Sequence, residues 1–367
     1  MAQSEIEAAR LTVRLGALKG NYRTIGARVG AAKVAPVVKA DGYGVGMAGV
    51  SCALAEIGAD TFFVARIQEG IDLRKALPRV RIFVLDGLKP GTASLYSANN
   101  LTPVLNTLEE IAEWSAAARN ARTKLDAAIQ IDTGMNRSGL SHADAETLAR
   151  DAATRLHSIN VSLWLSHLSC SDDAKHPMNR QQLERFRAML AKLPPAPASI
   201  SASGGIGLER DYDMDMVRPG LALYGGNPQP LLPNPYRVVA RLTGRVLQVR
   251  RVDLGDTVGY GATFTTGKPL KLVTVSLGYA DGLSRVLAGR GQAALGGVRM
   301  PFAGRISMDL AVLDATNVPD AACKRGAEVE FFGDSIPLEE IAEAANTVSY
   351  EILTGISPRV PRVHVEG

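Results

Sequence analysis

The stretch Val34-Ala35-Pro36-Val37-Val38-Lys39-Ala40-Asp41-Gly42-Tyr43-Gly44 carries the strongest chemical signal in the chain. Its valines favour a strand, and apolar residues on both faces suit a buried one. Lys39 then falls at the strand end, with its amine near the core. An amine held in a pocket loses its proton more easily than a surface amine, through desolvation or a cationic neighbour. It can then add to an aldehyde as a Schiff base. Tyr43 can turn its hydroxyl toward a phosphate, while Gly42 and Gly44 let the backbone come close. Taken alone, the same pattern also suits a solvated lysine before an ordinary turn.

Other reactive residues fall at the ends of apolar runs. Gln130 and Asp132 lead into Thr133-Gly134-Met135-Asn136-Arg137-Ser138-Gly139, and Ser166-His167 closes the next run. Ser203-Gly204-Gly205-Ile206 and Arg218-Pro219-Gly220 can each expose backbone N–H groups to an anion. An anion cup opposite a Schiff-base lysine specifies a phosphorylated aldehyde, and pyridoxal 5′-phosphate is the natural cofactor. Arg218, a donor only, would leave the pyridine nitrogen unprotonated. That weakens the electron sink and favours quick reprotonation at Cα over transamination. Racemisation also needs a base on the second face, and Tyr260 of Val258-Gly259-Tyr260-Gly261 is the candidate.

The elements that must position these groups alternate. Helical patterns, including Leu18 to Ile25, Ile67 to Leu77, Leu108 to Ala118 and Met178 to Leu193, separate short apolar strands. Those strands end at Lys39, then run over Phe62–Ala65, Arg81–Leu85, Leu101–Leu105, Leu125–Ile131, Val161–Leu165, Ala198–Ala202 and Leu221–Tyr224. Alternation implies βαβ units. Eight of them in roughly 200 residues predict an α/β fold, a closed (β/α)8 barrel with active groups at the C-terminal strand ends. After the proline-rich segment Pro228 to Pro235 the pattern becomes Val- and Leu-rich runs split by Gly turns. The expected division is a barrel over 1–235, with its N-terminal segment, and a mostly β domain over 236–367 that brings the second base.

Composition narrows the function classes. The chain has 46% hydrophobic and 21% charged residues and a net charge of +4, an ordinary globular balance. Basic residues are scattered, which argues against nucleic acid as a partner. The opening Met1-Ala2-Gln3-Ser4-Glu5 has no apolar signal core, and no run is long enough to span a bilayer. The three cysteines, Cys52, Cys170 and Cys323, form neither a disulfide framework nor a metal-ligand spacing. A reducing cytoplasm, no membrane and no bound metal are the expectations.

These motifs together resemble the alanine racemase family over essentially the whole chain. The resemblance rests on Val37 to Gly44, Asp132 to Arg137, Arg218 to Gly225, Gly259-Tyr260-Gly261-Ala262-Thr263, Gly278-Tyr279-Ala280-Asp281-Gly282, Gly304-Arg305-Ile306-Ser307-Met308-Asp309 and the closing Arg359-Val360-Pro361-Arg362. It implies that Lys39 holds the cofactor and acts on the D-alanine side. Tyr260 would be the L-side base, reaching the other subunit's site. Tyr43, Ser203, Gly220, Leu221 and Tyr350 would surround the phosphate, and Arg218 would face the pyridine nitrogen. His167 would sit by the ring and support Arg218 or Tyr260. Arg137 would lie near the cofactor's phenolic oxygen, Met308 near the substrate carboxylate, and Tyr279 would narrow the entrance. The implied assembly is a head-to-tail homodimer with shared sites, and the implied role is to supply D-alanine for peptidoglycan or to catabolise it.

Two positions depart from the family pattern. Gln130 stands where many members carry a lysine, often carbamylated. Its amide could hydrogen-bond toward Arg137 but cannot carry a carbamate's charge. Ser307 stands where a cysteine is common. Alternatives are a same-fold racemase for serine, lysine or arginine, a two-domain decarboxylase, a barrel-only cofactor-binding regulator, and an idle barrel. Arg218 and the lack of a matching cysteine argue against the decarboxylase. The β domain and Tyr260 argue against the regulator.

Overall fold

The computed structural model describes residues 7–367, so the polar opening Met1 to Glu5 lies outside the described residues. The first strand, β1 (Ala9–Arg14), and the helix Leu15–Val29 precede the barrel. The barrel strands are β2 (Lys33–Val34), β3 (Thr61–Val64), β4 (Arg81–Val84), β5 (Thr102–Leu105), β6 (Leu125–Gln130), β7 (Ile159–Leu165), β8 (Ala198–Ser199) and β9 (Met216–Val217). β3 to β8 form one parallel sheet in chain order, and β2 pairs with β9. Two single parallel bridges, Val37 to Phe63 and Ala202 to Arg218, close the circle. Phe62, Phe63, Ile82, Phe83, Val104 and Ile129 are fully buried. Helices outside and packed side chains within cover both faces, as a parallel sheet requires.

Two elements differ from the sequence expectation, and both differences bear on the site. The strand before Lys39 ends at Val34. Pro36 has no N–H to continue a ladder, so the chain stays extended with one bridge at Val37. Leu221–Tyr224 is a short 3-10 helix, not the eighth strand. The last barrel strand is Met216–Val217, so Arg218 follows a strand end instead of preceding one. A short apolar run reads equally well as strand or buried helix. Here Gly225, at φ 88, closes the turn in a conformation that favours glycine.

The later part of the chain is mostly β. A long strand, β10 (Ala240–Val252), pairs antiparallel with Leu270–Val275 and with Glu328–Phe332. β1 joins this sheet, antiparallel to β10 and parallel to Arg362–Val365. Both ends of the described chain are thus held in the second sheet. Arg10 and Arg241 reinforce that junction through Glu328, and Arg241 also binds the buried Glu330 at 2.7 Å. Among the described residues no helix is long and apolar enough to cross a membrane, and no group of acidic, His or Cys side chains could hold a metal.

Candidate active site

A cavity of about 460 Å³ opens at the C-terminal ends of the barrel strands, where such barrels place their chemistry. Lys39, Tyr43, Gln130, Arg137, His167, Ser203, Arg218, Gly220 and Tyr350 line it. Leu221 is buried and does not line it. Tyr260, Tyr279 and Met308 lie elsewhere in this chain, as described below.

Lys39 stands between two anchored peptides. The Val38 N–H donates to Phe63 O at 2.8 Å, and the Ala40 N–H donates to Glu69 Oε1 at 2.7 Å. From Ala40 the backbone turns left-handed, with φ near 53° at Ala40 and Asp41, 64° at Gly42 and 56° at Tyr43. Such a turn costs on the order of 1–2 kcal/mol per non-glycine residue. Asp41 offsets part of this cost by accepting from the Met47 N–H at 2.8 Å. Burial lowers the Lys39 pKa, the Arg137 charge lowers it further, and Glu69 opposes both.

The left-handed turn swings Tyr43 across the cavity floor. Its ring stacks on Tyr224 with centroids 4.8 Å apart, and Tyr224 donates to Val37 O at 3.1 Å. Burial raises the Tyr43 pKa well above the usual phenol value, so its hydroxyl stays a hydrogen-bond donor. A Cβ at Gly220 would stand 2.0 Å from that hydroxyl, so only glycine fits there. Ser203 Oγ accepts from the N–H groups of Gly220 at 2.9 Å and Ala222 at 3.2 Å. Its own proton is left to donate. Tyr43, Ser203 and Gly220 therefore make a close-packed cradle with two hydroxyl donors, those of Tyr43 and Ser203.

Arg218 is buried without a carboxylate. It donates to the Ser166 carbonyl at 2.6 Å and to Ser199 Oγ. Its Nη2 lies 3.4 Å from His167 Nδ1. Burial pulls its pKa down to about 9, which still leaves it charged at neutral pH. Burial first, then the charges of Arg218, Arg137 and Lys39, push His167 down to about 3. Gln130 donates to the Ser138 carbonyl at 3.0 Å and to Ser138 Oγ at 2.9 Å. The amide nitrogen is thus held by Ser138, and the amide oxygen, the atom that could accept from Arg137 as the sequence suggested, makes no hydrogen bond to it. The lining basic groups are Lys39, Arg137 and Arg218, against a single acid, Asp86, which pairs with Lys89 at 3.1 Å. This charge balance, with the Tyr43–Ser203–Gly220 cradle, fits a phosphorylated carbonyl compound.

Three of the residues singled out from the sequence lie in exposed connections of the later, mostly β part of the chain: Tyr260 and Tyr279 each begin a short 3-10 turn, and Met308 sits in the loop before Ala311–Asp314. Tyr260 is 71% exposed and Met308 53%, with Tyr279 also exposed. The Tyr279 N–H donates to Ser307 O at 3.0 Å, and the Ala280 N–H donates to Met308 O at 2.9 Å. Arg359 ties the same two segments together, binding Asp281 and Asp309 at 2.6 Å each.

Sequence reading did not single out Glu69 and Ser199, and named Ser166 only as the residue before His167 at the end of a run. Glu69 carried a weak signal, an acid in the first turn of a helix that follows a strand end, where helix N–H groups lack partners. Ser199 carried none, and nothing local said that the Ser166 carbonyl would meet Arg218, since only the folded barrel brings both under it.

Comparison with known proteins places the chain. Residues 13–228 match the family model "Alanine racemase, N-terminal domain", and residues 239–364 match "Alanine racemase, C-terminal domain". A catabolic alanine racemase from Agrobacterium fabrum is 46% identical over 360 residues, covering 98% of this chain and 92% of that protein. An alanine racemase from Methylobacterium nodulans is 44% identical over 367 residues, covering 100% and 99%. The crystal structure of alanine racemase from Bartonella henselae with covalently bound pyridoxal phosphate is 37% identical, with a TM-score of 0.94, covering 98% of this chain and 100% of that one.

Proposed function

The chain belongs to the alanine racemase family, and from that premise we propose how its own residues divide the work of interconverting L- and D-alanine. Pyridoxal 5′-phosphate is the cofactor. When bound it supplies the carbonyl to which an amine attaches and the ring that acidifies the amino acid's Cα–H. Lys39 Nζ holds it, then exchanges a proton with Cα on the D-alanine face. Tyr43, Ser203 and Gly220 hold the phosphate, with Leu221 packing behind and Tyr350 at the edge. Arg218 donates to the ring nitrogen, His167 braces Arg218, and Arg137 binds near the phenolic oxygen.

The second face of Cα needs a second base, since proton transfer demands hydrogen-bond reach. Tyr260 of the partner subunit is that base. Met308 of the partner subunit approaches the substrate carboxylate, and Tyr279 of the partner subunit narrows the entrance. The assembly is a head-to-tail homodimer, which completes two sites at once by symmetry. The chain divides functionally into a barrel over 1–235 and a domain over 236–367 that serves the partner. The setting is the cytoplasm, which keeps Cys52, Cys170 and Cys323 reduced.

One observation carries this reading: a lysine with a lowered pKa shares a carboxylate-poor cavity with a buried, charged Arg218. Arg218 also disfavours decarboxylase or transaminase chemistry, which exploits a protonated ring. Borohydride reduction of the purified protein tests the reading. The cofactor should become fixed to the peptide containing Lys39, and D/L turnover of alanine should be lost with it. A cofactor mapped to another lysine would overturn the assignment.

A further inference from the structure

The proposed lysine is held by an acid outside the cavity. Glu69 sits in the first turn of the helix Ile67–Ala76, which follows β3. Its Oε2 accepts from the N–H groups of Ala65 at 2.8 Å and Arg66 at 3.0 Å, both just past the end of β3. Its Oε1 crosses to the neighbouring segment and accepts from the Ala40 N–H, in the turn after Lys39, at 2.7 Å. One carboxylate thus binds three N–H groups and clamps the end of β3 to the turn that carries Lys39.

The Ala40 bond falls where the left-handed turn begins. Ala40 and Asp41 both have φ 53°, a conformation that L-residues keep only when their surroundings over-determine it. Ala40 has no polar side chain to stabilise its own turn. Besides the turn's own backbone bonds, such as Gly42 N–H to Val38 O at 2.9 Å, the other side-chain tethers lie further along, at Met47 N–H to Asp41 Oδ1 and Arg362 Nε to Gly44 O. Glu69 is therefore the side-chain tether nearest to Lys39 on its C-terminal side. The charge-assisted form of such a bond is roughly twice as strong as a neutral one.

Resting on the reading that Lys39 carries the cofactor, we infer that Glu69 is the positioning residue of Lys39, holding the turn that carries it by hydrogen bonding and placing a carboxylate beside it. Glu69 makes no ion pair with Lys39 and does not line the cavity, so it touches neither cofactor nor substrate. The groups facing Lys39 are Glu69 from the helix after β3, Arg137 from the loop after β6, His167 at the end of β7, Arg218 at the end of β9, and Tyr43, Tyr350 and Asp86 around the cavity. Of the charged groups that act on the amine, Arg137 disfavours the ammonium and Glu69 favours it.

The fold contains its own control. Glu110, in the first turn of the helix Leu108–Asn120, accepts from the Asn106 N–H at 2.8 Å, just past the end of β5. This is a similar strand-end device, two strands away, with no contact to the Lys39 turn.

The test uses full-length protein freed of cofactor with hydroxylamine and mixed with pyridoxal 5′-phosphate across a pH series. Capture is trapped with borohydride and mapped to its lysine, so the pH midpoint reports the amine and the plateau its placement. Glu69→Gln keeps the reach and loses the charge, so the midpoint should move to lower pH. Glu69→Asp keeps the charge and loses the reach, so the midpoint should hold while the plateau falls. Glu69→Ala should do both, with a plateau loss on the order of 10²-fold, as expected for a misplaced reactive group. Glu110→Gln should leave both at wild type. An unmoved midpoint in Glu69→Gln, or equal effects in Glu110→Gln, overturns the inference. Loss of folding in all three Glu69 variants also overturns it, by assigning the residue to the scaffold. Capture at another lysine in the wild-type protein overturns the cofactor assignment instead.

Discussion

Arg218 Nη2 lies 3.4 Å from His167 Nδ1, and this contact fixes the state of the imidazole. A guanidinium only donates, so Nδ1 accepts and the ring hydrogen sits on Nε2. The pair carries one positive charge, on arginine, since the imidazole stays neutral down to about pH 3. A cation with no carboxylate partner is thus kept in the barrel core by carbonyls, a hydroxyl and a neutral ring.

The first prediction concerns that cation. Arg218 as a donor keeps a ring nitrogen unprotonated, so Arg218→Glu should raise transamination relative to racemisation. Chromatographic product partitioning in a cofactor-binding variant measures the ratio. An unchanged ratio would count against the proposed role.

The second concerns acid stability. The folded His167 value, about 3, lies below the ordinary value of roughly 6.5. The unfolded chain therefore binds the proton first, and the His167 contribution, fully present above about pH 6.5, is lost as pH falls toward 3. Wild type should lose more thermal stability over this window than His167→Gln, so the gap between their melting temperatures should change as pH falls. A pH-independent gap would show that His167 does not titrate as described.

The site was legible in the sequence where chemistry forces a residue type. Lys39, Arg218, Ser203 and Gly220 each announced themselves by pairing a reactive or flexible residue with an apolar run. What stayed hidden depends on long-range contact. The left-handed turn at Ala40 and Asp41 has no local signature in a residue such as alanine, and Glu69 stabilises it from 29 positions away. Leu221–Tyr224 looked like a strand because short apolar runs carry no period. Nothing near residues 9–14 said that they would pair with β10, more than 200 residues on.

The third prediction concerns Gln130. Its amide nitrogen is held by Ser138 and cannot form a carbamate. Activity should not depend on added carbon dioxide or bicarbonate. Depletion followed by readdition is the measurement, and a rate restored by bicarbonate would refute this account of the position.

The central claim is that each working site combines Lys39 of one subunit with Tyr260 of the partner subunit. Lys39→Ala and Tyr260→Phe homodimers should each lose activity by about 10³-fold or more, as expected for removing a positioned acid–base group. A mixed dimer of the two variants has one site with both defects and one with neither. The direct measurement is the turnover of that heterodimer, purified through two different tags. The account predicts about half of wild-type activity per dimer. A heterodimer as inactive as its parents, while its intact site still binds cofactor, would contradict it.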